Sequence, residues 1–303
     1  MMNLSELETE VSTKQASELL GVHESSAKRW CNRGFLAFRT TPGGHRRIQV
    51  SALIDYAREA KINCVLVSFA DDAGFVWAGM EEARSQGRFE KLVYLMMDWT
   101  RRGESGMMVG LLDWMTQRQF GIEQILDEIM SPTMRSFGQE YAAGNLSIGD
   151  EHQMTHTIRD VLISWNMRSP RNYLGHQKGV AIVGCARGEV HEIGALMVRL
   201  LLEESGWKVV YLGLNVPTEE FADQQVKHRA SLVCISMTPP AGKAEAHTIV
   251  SLLNRMYTKD HPFRLAIGGA AVHPEDKVTL GKLNFQDIEF FRTLSPFSKW
   301  VTT

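Results

Sequence analysis

From Val180 onward the apolar residues fall into short runs, Val180–Val183, Lys208–Leu212, Leu232–Ile235 and Leu265–Ile267, separated by stretches long enough for a helix. Runs of this kind, alternating with helical segments, leave few solutions: a parallel sheet covered by helices on both faces. The pattern predicts a doubly wound α/β unit over residues 176–303. Sheets of this kind bind ligands at the carboxyl ends of their strands, so the residues just beyond each run matter most for function.

After the first run stand Gly184, Gly188, Glu189, His191 and Gly194. A histidine on a glycine-bearing loop can offer a neutral imidazole nitrogen to a metal. An acid two residues earlier is placed to orient the other ring nitrogen. Taken alone, a loop histidine is more often unremarkable. After the third run come Ser236 and Thr238, and after the fourth Gly268 and Gly269, small residues that let a broad ligand or its tail lie close to the backbone.

As a set these residues resemble the base-off, His-on cobalamin-binding fold of methionine synthase and the cobalamin mutases. Its motif is Asp-x-His-x-x-Gly, then a Ser-x-Leu, then a glycine pair. In this chain 41 residues separate Gly194 from Ser236, and 29 separate Thr238 from Gly268. Glu189 replaces the aspartate and Thr238 the leucine; the first change also occurs in CarH-like proteins. The resemblance implies His191 as the lower axial cobalt ligand and Glu189 as its orienting acid. Ser236 would contact the displaced dimethylbenzimidazole tail, and Gly268 and Gly269 would floor the tail pocket. The alternative is a flavodoxin-like domain without a cofactor.

At the other end, Ser12 is a candidate N-cap for a helix Thr13–Leu20, which Gly21 stops. A second helix, from about Glu24 to Arg33, leaves Lys28 and Arg29 facing outward. Two short extended runs come next around Thr41, Pro42, Gly43 and Gly44, with His45, Arg46 and Arg47 on the returning strand. The net charge of −2 hides a local excess: residues 23–48 carry Lys28, Arg29, Arg33, Arg39, Arg46 and Arg47 against the single acid Glu24. A polyanion feels charge over about 10 Å at moderate salt, so the local sign decides. Two helices around a glycine, or a basic cluster, are each common as plain surface. In this order, with Thr41–Ile48 reading TPGGHRRI, they resemble the winged helix-turn-helix of the MerR superfamily, especially its small excisionase-like branch. That resemblance implies DNA contacts from Lys28 and Arg29 on the helix and from His45, Arg46 and Arg47 on the wing. A third helix, Ser51–Lys61, closes a unit over 1–61, and Asp71 to Gly74 is the expected joint to the next unit.

Residues 75–170 read as helical throughout, enough for a four-helix bundle. Ten of the fifteen methionines lie there. Core filling is the simpler reading, and a soft lining for a bulky apolar cofactor is the other. A helix ends near Gly144 and another opens after Ser147, with carboxylates at its positive end. Tyr141, nine residues, then Glu151 and His152 reproduce a spacing seen in the CarH/LitR class of cobalamin photoreceptors. There a tryptophan and a Glu-His pair cap the upper face of adenosylcobalamin. Here tyrosine replaces the tryptophan, and Ala142 stands where light-responsive members carry the histidine that ligates cobalt after illumination. His152 or His156 is the available substitute.

No run approaches the roughly 18 apolar residues of a membrane span, and the opening residues lack a basic leader, so a cytoplasmic protein with no membrane partner is expected. Cys31, Cys64, Cys185 and Cys234 show no metal or disulfide spacing. The order of parts, a multidomain α and α/β layout, is that of CarH/LitR regulators. The resemblance implies a repressor, not an enzyme, that binds operator DNA as a dimer or tetramer and releases it when light cleaves bound adenosylcobalamin. An alternative keeps the regulator and changes the signal to another cobalamin form, haem, a redox state or a protein antagonist. A corrinoid carrier subunit of a methyltransferase or mutase is disfavoured, because about 60 residues go to a DNA module and no (β/α)₈ barrel of about 250 residues fits.

Overall fold

Ser12 starts the first helix through a reciprocal cap. Its Oγ accepts from the Gln15 N–H at 3.2 Å, and Gln15 Oε1 accepts from the Ser12 N–H at 2.8 Å. The computed structural model describes residues 9–168, 178–279, 283–285 and 287–302; the expected start of the α/β unit at residue 176 lies outside them. A strand that the sequence reading lacked, β1 (Glu10–Ser12), leads into α1 (Thr13–Leu19), α2 (Glu24–Asn32), β2 (Arg39–Thr40), β3 (Arg46–Gln49) and α3 (Val50–Glu59). Gly21, in the left-handed region, makes the turn between α1 and α2. The strands form an antiparallel sheet in the order β1-β3-β2. Trp30 of α2 packs on Tyr56 of α3 with ring centroids 5.0 Å apart.

The expected joint at Asp71–Gly74 is not a linker. Two short 3₁₀ turns within Val65–Asp72, separated by a kink at Ala70, run directly into α4 (Ala73–Gln86), succeeded by α5 (Glu90–Arg102) and α6 (Ser105–Gln117). The buried Asp72 carboxylate accepts from Trp99 Nε1 at 2.7 Å and pairs with Arg102 at 2.5 Å. The two bonds satisfy a buried carboxylate and hold the segment in place. Phe69 stacks on Trp99 beneath it. Met80, Met96, Met108 and Met115 are buried in this core, which favours the core-filling reading of the methionines. Gly87 and Gly103 cap α4 and α5 in left-handed conformation. Three links tie the amino-terminal elements to these helices: Thr9 to the Gly74 carbonyl, Gln15 to Glu81, and Arg118 to Glu18.

The chain accordingly divides into Met1–Gln119 with Glu128–Gln139, and Phe120–Asp127 with Glu140–Thr303. This division cuts across the helical segment expected as a unit of its own at 75–170. The short α7 (Ile122–Ile125) falls in the second unit, α8 (Ser131–Ala142) belongs to the first as far as Gln139, and α9 (Ile148–Arg168) lies in the second.

The rest of the second unit is α/β: β4 (Val180–Cys185), α10 (Ile193–Glu204), β5 (Lys208–Gly213), α11 (Thr218–His228), β6 (Leu232–Ser236), α12 (Lys243–Met256), β7 (Arg264–Gly268), β8 (Asp287–Phe291) and α13 (Leu294–Thr302). All five strands are parallel, in the order β5-β4-β6-β7-β8. Counted from β4 this is 2-1-3-4-5, the flavodoxin-like order whose switch point lies where the chain leaves β4 and β6 in opposite senses. The four expected strands are present; β8 is an edge strand beyond them. The sheet core is apolar, with Ile182, Val233, Ile235, Leu265 and Ile267 packed under Phe221, Val250 and Leu253.

Candidate cofactor site and nucleic-acid interface

At that switch point the loop after β4 meets the loop after β6. Glu189 is 7% exposed, and its carboxylate gathers five donors. Oε1 accepts from the Val190 N–H at 2.9 Å, the His191 N–H at 2.8 Å and His191 Nδ1 at 2.6 Å. Oε2 accepts from the backbone N–H and, at 2.7 Å, from the hydroxyl of Thr238. Burial alone would raise the Glu189 carboxyl; the bonds from Thr238 and His191 outweigh it and hold its pKa below the ordinary value. An ionised Glu189 is an acceptor for an Nδ1–H of His191, and so orients the ring. Nε2, the ring nitrogen not engaged by Glu189, makes no hydrogen bond among the described residues, on a side chain 63% exposed.

The other expected residues pack around this cluster. A Cβ on Gly194 would lie 3.2 Å from Ser236 Oγ, so the start of α10 and the end of β6 approach as closely as glycine allows. Gly269, at φ +115°, is bound to its residue type, because a Cβ there would overlap the Met237 carbonyl oxygen. Asn215 Oδ1 accepts from the Gly188 N–H at 2.7 Å and holds the His191 loop from the β5 side. Val190 and Leu214 remain exposed beside it. Thr238 stands out in the sequence only as a departure from leucine; its bonds to Glu189, and its Oγ1 2.8 Å from His191 Nδ1, emerge from the fold.

Tyr141, Glu151 and His152 are joined to this cluster by no hydrogen bond or ion pair among the described residues. Tyr141 is 44% exposed; Glu151 accepts from Thr155 at 2.7 Å, and His152 Nε2 lies 3.7 Å from Glu151 Oε2. Ser147 and Asp150 cap α9 reciprocally, which explains its start there. Two ties give the direction of α9. Arg159 bonds Glu192 at the start of α10 at 2.8 Å, and Asn166 bonds Glu203 near its end at 2.7 Å. The two helices thus run side by side in the same sense. Glu151 precedes Arg159 by two turns, about 12 Å at 1.5 Å per residue. The opening of α9 therefore projects beyond the carboxyl edge of the sheet, on the side where His191 stands.

These residues suit a metal already held in a flat ring. A bare cation of the zinc type takes about four ligands, and among the described residues no group of three or more His, Cys, Asp or Glu side chains is placed to hold one. One outward imidazole, oriented by a buried carboxylate and flanked by Val190 and Leu214, is the donor set that an axial position on a corrinoid requires.

On the amino-terminal elements, Thr41 and Gly44 shape the β2–β3 turn: the Thr41 N–H donates to the His45 carbonyl at 2.8 Å, and Thr41 Oγ1 accepts from the His45 N–H at 3.1 Å. His45 is exposed. Arg46 is braced rather than free, donating to the Lys28 carbonyl at 3.0 Å and lying 4.9 Å over the Phe38 ring. It ties the wing to α2. Lys28 pairs with Glu24 at 3.0 Å. Arg29, Arg33 and Arg47 make no side-chain hydrogen bond or ion pair among the described residues; Arg33, at the end of α2, joins the candidates.

Residues 10–61 match the helix-turn-helix domain and residues 179–290 the B12 binding domain. Fold and site together define a helix-turn-helix protein that carries a B12-binding domain. The chain is 25% identical over 276 residues to the HTH-type transcriptional repressor CarH of Myxococcus xanthus, covering 87% of this chain and 90% of that one. It is 24% identical over 264 residues to the repressor CarA of the same organism, covering 84% of each. Over most of its length the chain is thus similar to CarH-type regulators, and it carries a helix-turn-helix domain and a B12 binding domain in one polypeptide. The monomethylamine corrinoid protein of Methanosarcina barkeri shares the fold over 68% of this chain and 94% of its own, with a TM-score of 0.51 at 18% identity. Among the described residues no helix is long and apolar enough to cross a membrane.

Proposed function

We propose that this chain is a transcriptional repressor in which adenosylcobalamin, held by His191, controls self-assembly and operator binding in response to light. The observation that carries the reading is the His191 imidazole, held by buried Glu189 at the sheet's switch point with Nε2 outward. When bound, adenosylcobalamin supplies a cobalt–carbon bond that visible light cleaves. The chain does the rest. His191 would hold the cobalt, Glu189 and Thr238 would keep the imidazole oriented, and Glu151 and His152 at the opening of α9 would meet the bound group. Ser236, Gly194, Gly268 and Gly269 leave room for the nucleotide tail.

On the DNA side α2 enters the major groove with Arg29 and Lys28, while His45, Arg46 and Arg47 of the wing meet phosphate or the minor groove. One module of this size grips too little DNA for useful specificity, so repeated half-sites and a dimer or tetramer complete the repressor. A light-driven change in the bound cobalamin would shift the population toward dissociated protomers. Absorption spectra of the protein with adenosylcobalamin, in darkness and after green light, test this together with the oligomeric state in each condition. A light-driven spectral change with a change of assembly is expected; a spectrum indifferent to light removes the photoreceptor.

A second reading is favoured by one observation, Ala142 and Tyr141 in place of histidine and tryptophan. In it the same layout reports the presence of a cobalamin rather than its photolysis, and operator binding changes with cobalamin equally in light and darkness.

A further inference from the structure

Glu192 comes directly after His191, and both of its carboxylate oxygens are taken. Oε2 accepts from Arg159 Nε of α9 at 2.8 Å, and Oε1 from the Tyr211 hydroxyl of β5 at 3.1 Å. Tyr211 is itself held from α10, whose Arg199 lies 5.5 Å over its ring and bonds Glu203 at 3.1 Å. The residue beside the imidazole is thus clamped between the sheet and the helix whose first turns carry Glu151 and His152.

We propose that Arg159 and Glu192 form the joint that keeps the His191 loop and α9 in register, with Arg159 a positioning residue for the axial imidazole. Consecutive Cα atoms are about 3.8 Å apart, so the His191 main chain cannot advance toward a ring without moving Glu192. Glu192 in turn cannot move without drawing α9 or breaking its bond to Arg159. The same linkage runs the other way: a shift of α9 moves the imidazole. An ordinary surface pair would do none of this, since two mobile side chains in water are worth at most about 1 kcal/mol. Here the Glu192 side chain is 18% exposed and fixed at its other oxygen by a tyrosine, so the acid end of the pair is held even though Arg159, 41% exposed, also lies 3.8 Å from Asp160. The inference rests on the cofactor reading above.

The test uses the full chain with Arg159→Gln, Glu192→Gln and the double variant, and two readouts. Without cobalamin, amide hydrogen exchange should rise in residues 189–194 and in the opening turns of α9 for each single variant. In spectral titration with hydroxocobalamin, each single variant should bind roughly tenfold more weakly, the order expected for one charge-assisted bond. The double variant should bind no more weakly than either single one, because all three remove the same joint. Unchanged affinity and exchange in the single variants, or losses that add in the double one, would overturn the proposal. If Arg159→Gln does not fold, Arg159→Lys, which keeps the charge but not the guanidinium, should show a smaller loss of the same kind, and wild-type behaviour there overturns it too. Wild-type protein that takes up no hydroxocobalamin overturns the cofactor reading instead, and the exchange readout then judges the joint alone.

Discussion

Replacing Thr238 by valine removes one hydroxyl and keeps the side chain's shape, which isolates what that hydroxyl does for Glu189. In the native site Oε2 has two donors, the Thr238 N–H and its Oγ–H, and the Glu189 side chain is 5% exposed. Water cannot replace a lost donor there. A hydrogen bond to an ionised group contributes about 1.5–3 kcal/mol, and the backbone donor that remains limits the loss to that one bond. Thr238→Val should therefore destabilise the second unit by about 1.5–3 kcal/mol, a shift of more than tenfold in its folding equilibrium. Thr238→Ser should stay close to wild type, since it retains the donor. Urea denaturation without cofactor, monitored by circular dichroism, measures both. A Thr238→Val midpoint indistinguishable from wild type would refute the claim that Glu189 is ionised and held by these donors.

The same geometry sets three more outcomes. Gly269→Ala should unfold the second unit at ordinary temperature or lower its melting point by many degrees, because its Cβ collides with the Met237 carbonyl; a melting curve like wild type would contradict the left-handed turn at this position. Arg47→Ala should reduce the slope of log operator affinity against log salt by about 1, as expected for one phosphate contact. An unchanged slope would remove Arg47 from the interface. The buried thiols set an alkaline limit: burial pushes Cys185 up to about 12 and Cys234 higher still, from an ordinary 9.0. Above pH 9 the unfolded chain sheds protons that the folded chain keeps, so stability should fall as pH rises. The slope is about 1.4 kcal/mol per pH unit for each thiol. Urea midpoints at pH 8 and pH 10 check the sign; a flat profile would mean the thiols titrate freely.

The α/β unit was legible because its strands are buried on both faces and therefore read as uninterrupted apolar runs. β8 was not, since Asp287 and Glu289 alternate with the buried Ile288 and Phe290, as on an edge strand. The cap at Ser12 and the turn at Gly44 are local chemistry and could be read residue by residue. Asp72 looked like a linker acid because its partners, Trp99 and Arg102, lie a helix away. Distance along the chain hid the site's support in the same way. His191 and Glu189 are neighbours in sequence and were visible; Thr238 lies 49 residues from Glu189 and Arg159 lies 33 from Glu192, pairings that only the sheet order and the α9–α10 packing create. Arg46, read as a free wing cation, is partly a brace because its guanidinium reaches a carbonyl of α2.

Electron paramagnetic resonance of the protein loaded with cob(II)alamin puts the central assignment to the most direct test, with histidine labelled uniformly by the heavier nitrogen isotope. If the His191 imidazole is the axial donor, the nitrogen superhyperfine lines should be triplets in unlabelled protein and doublets in labelled protein, and His191→Ala should abolish the isotope effect. Triplets that persist in the labelled protein would show that the cofactor's own base holds the metal and would contradict the account.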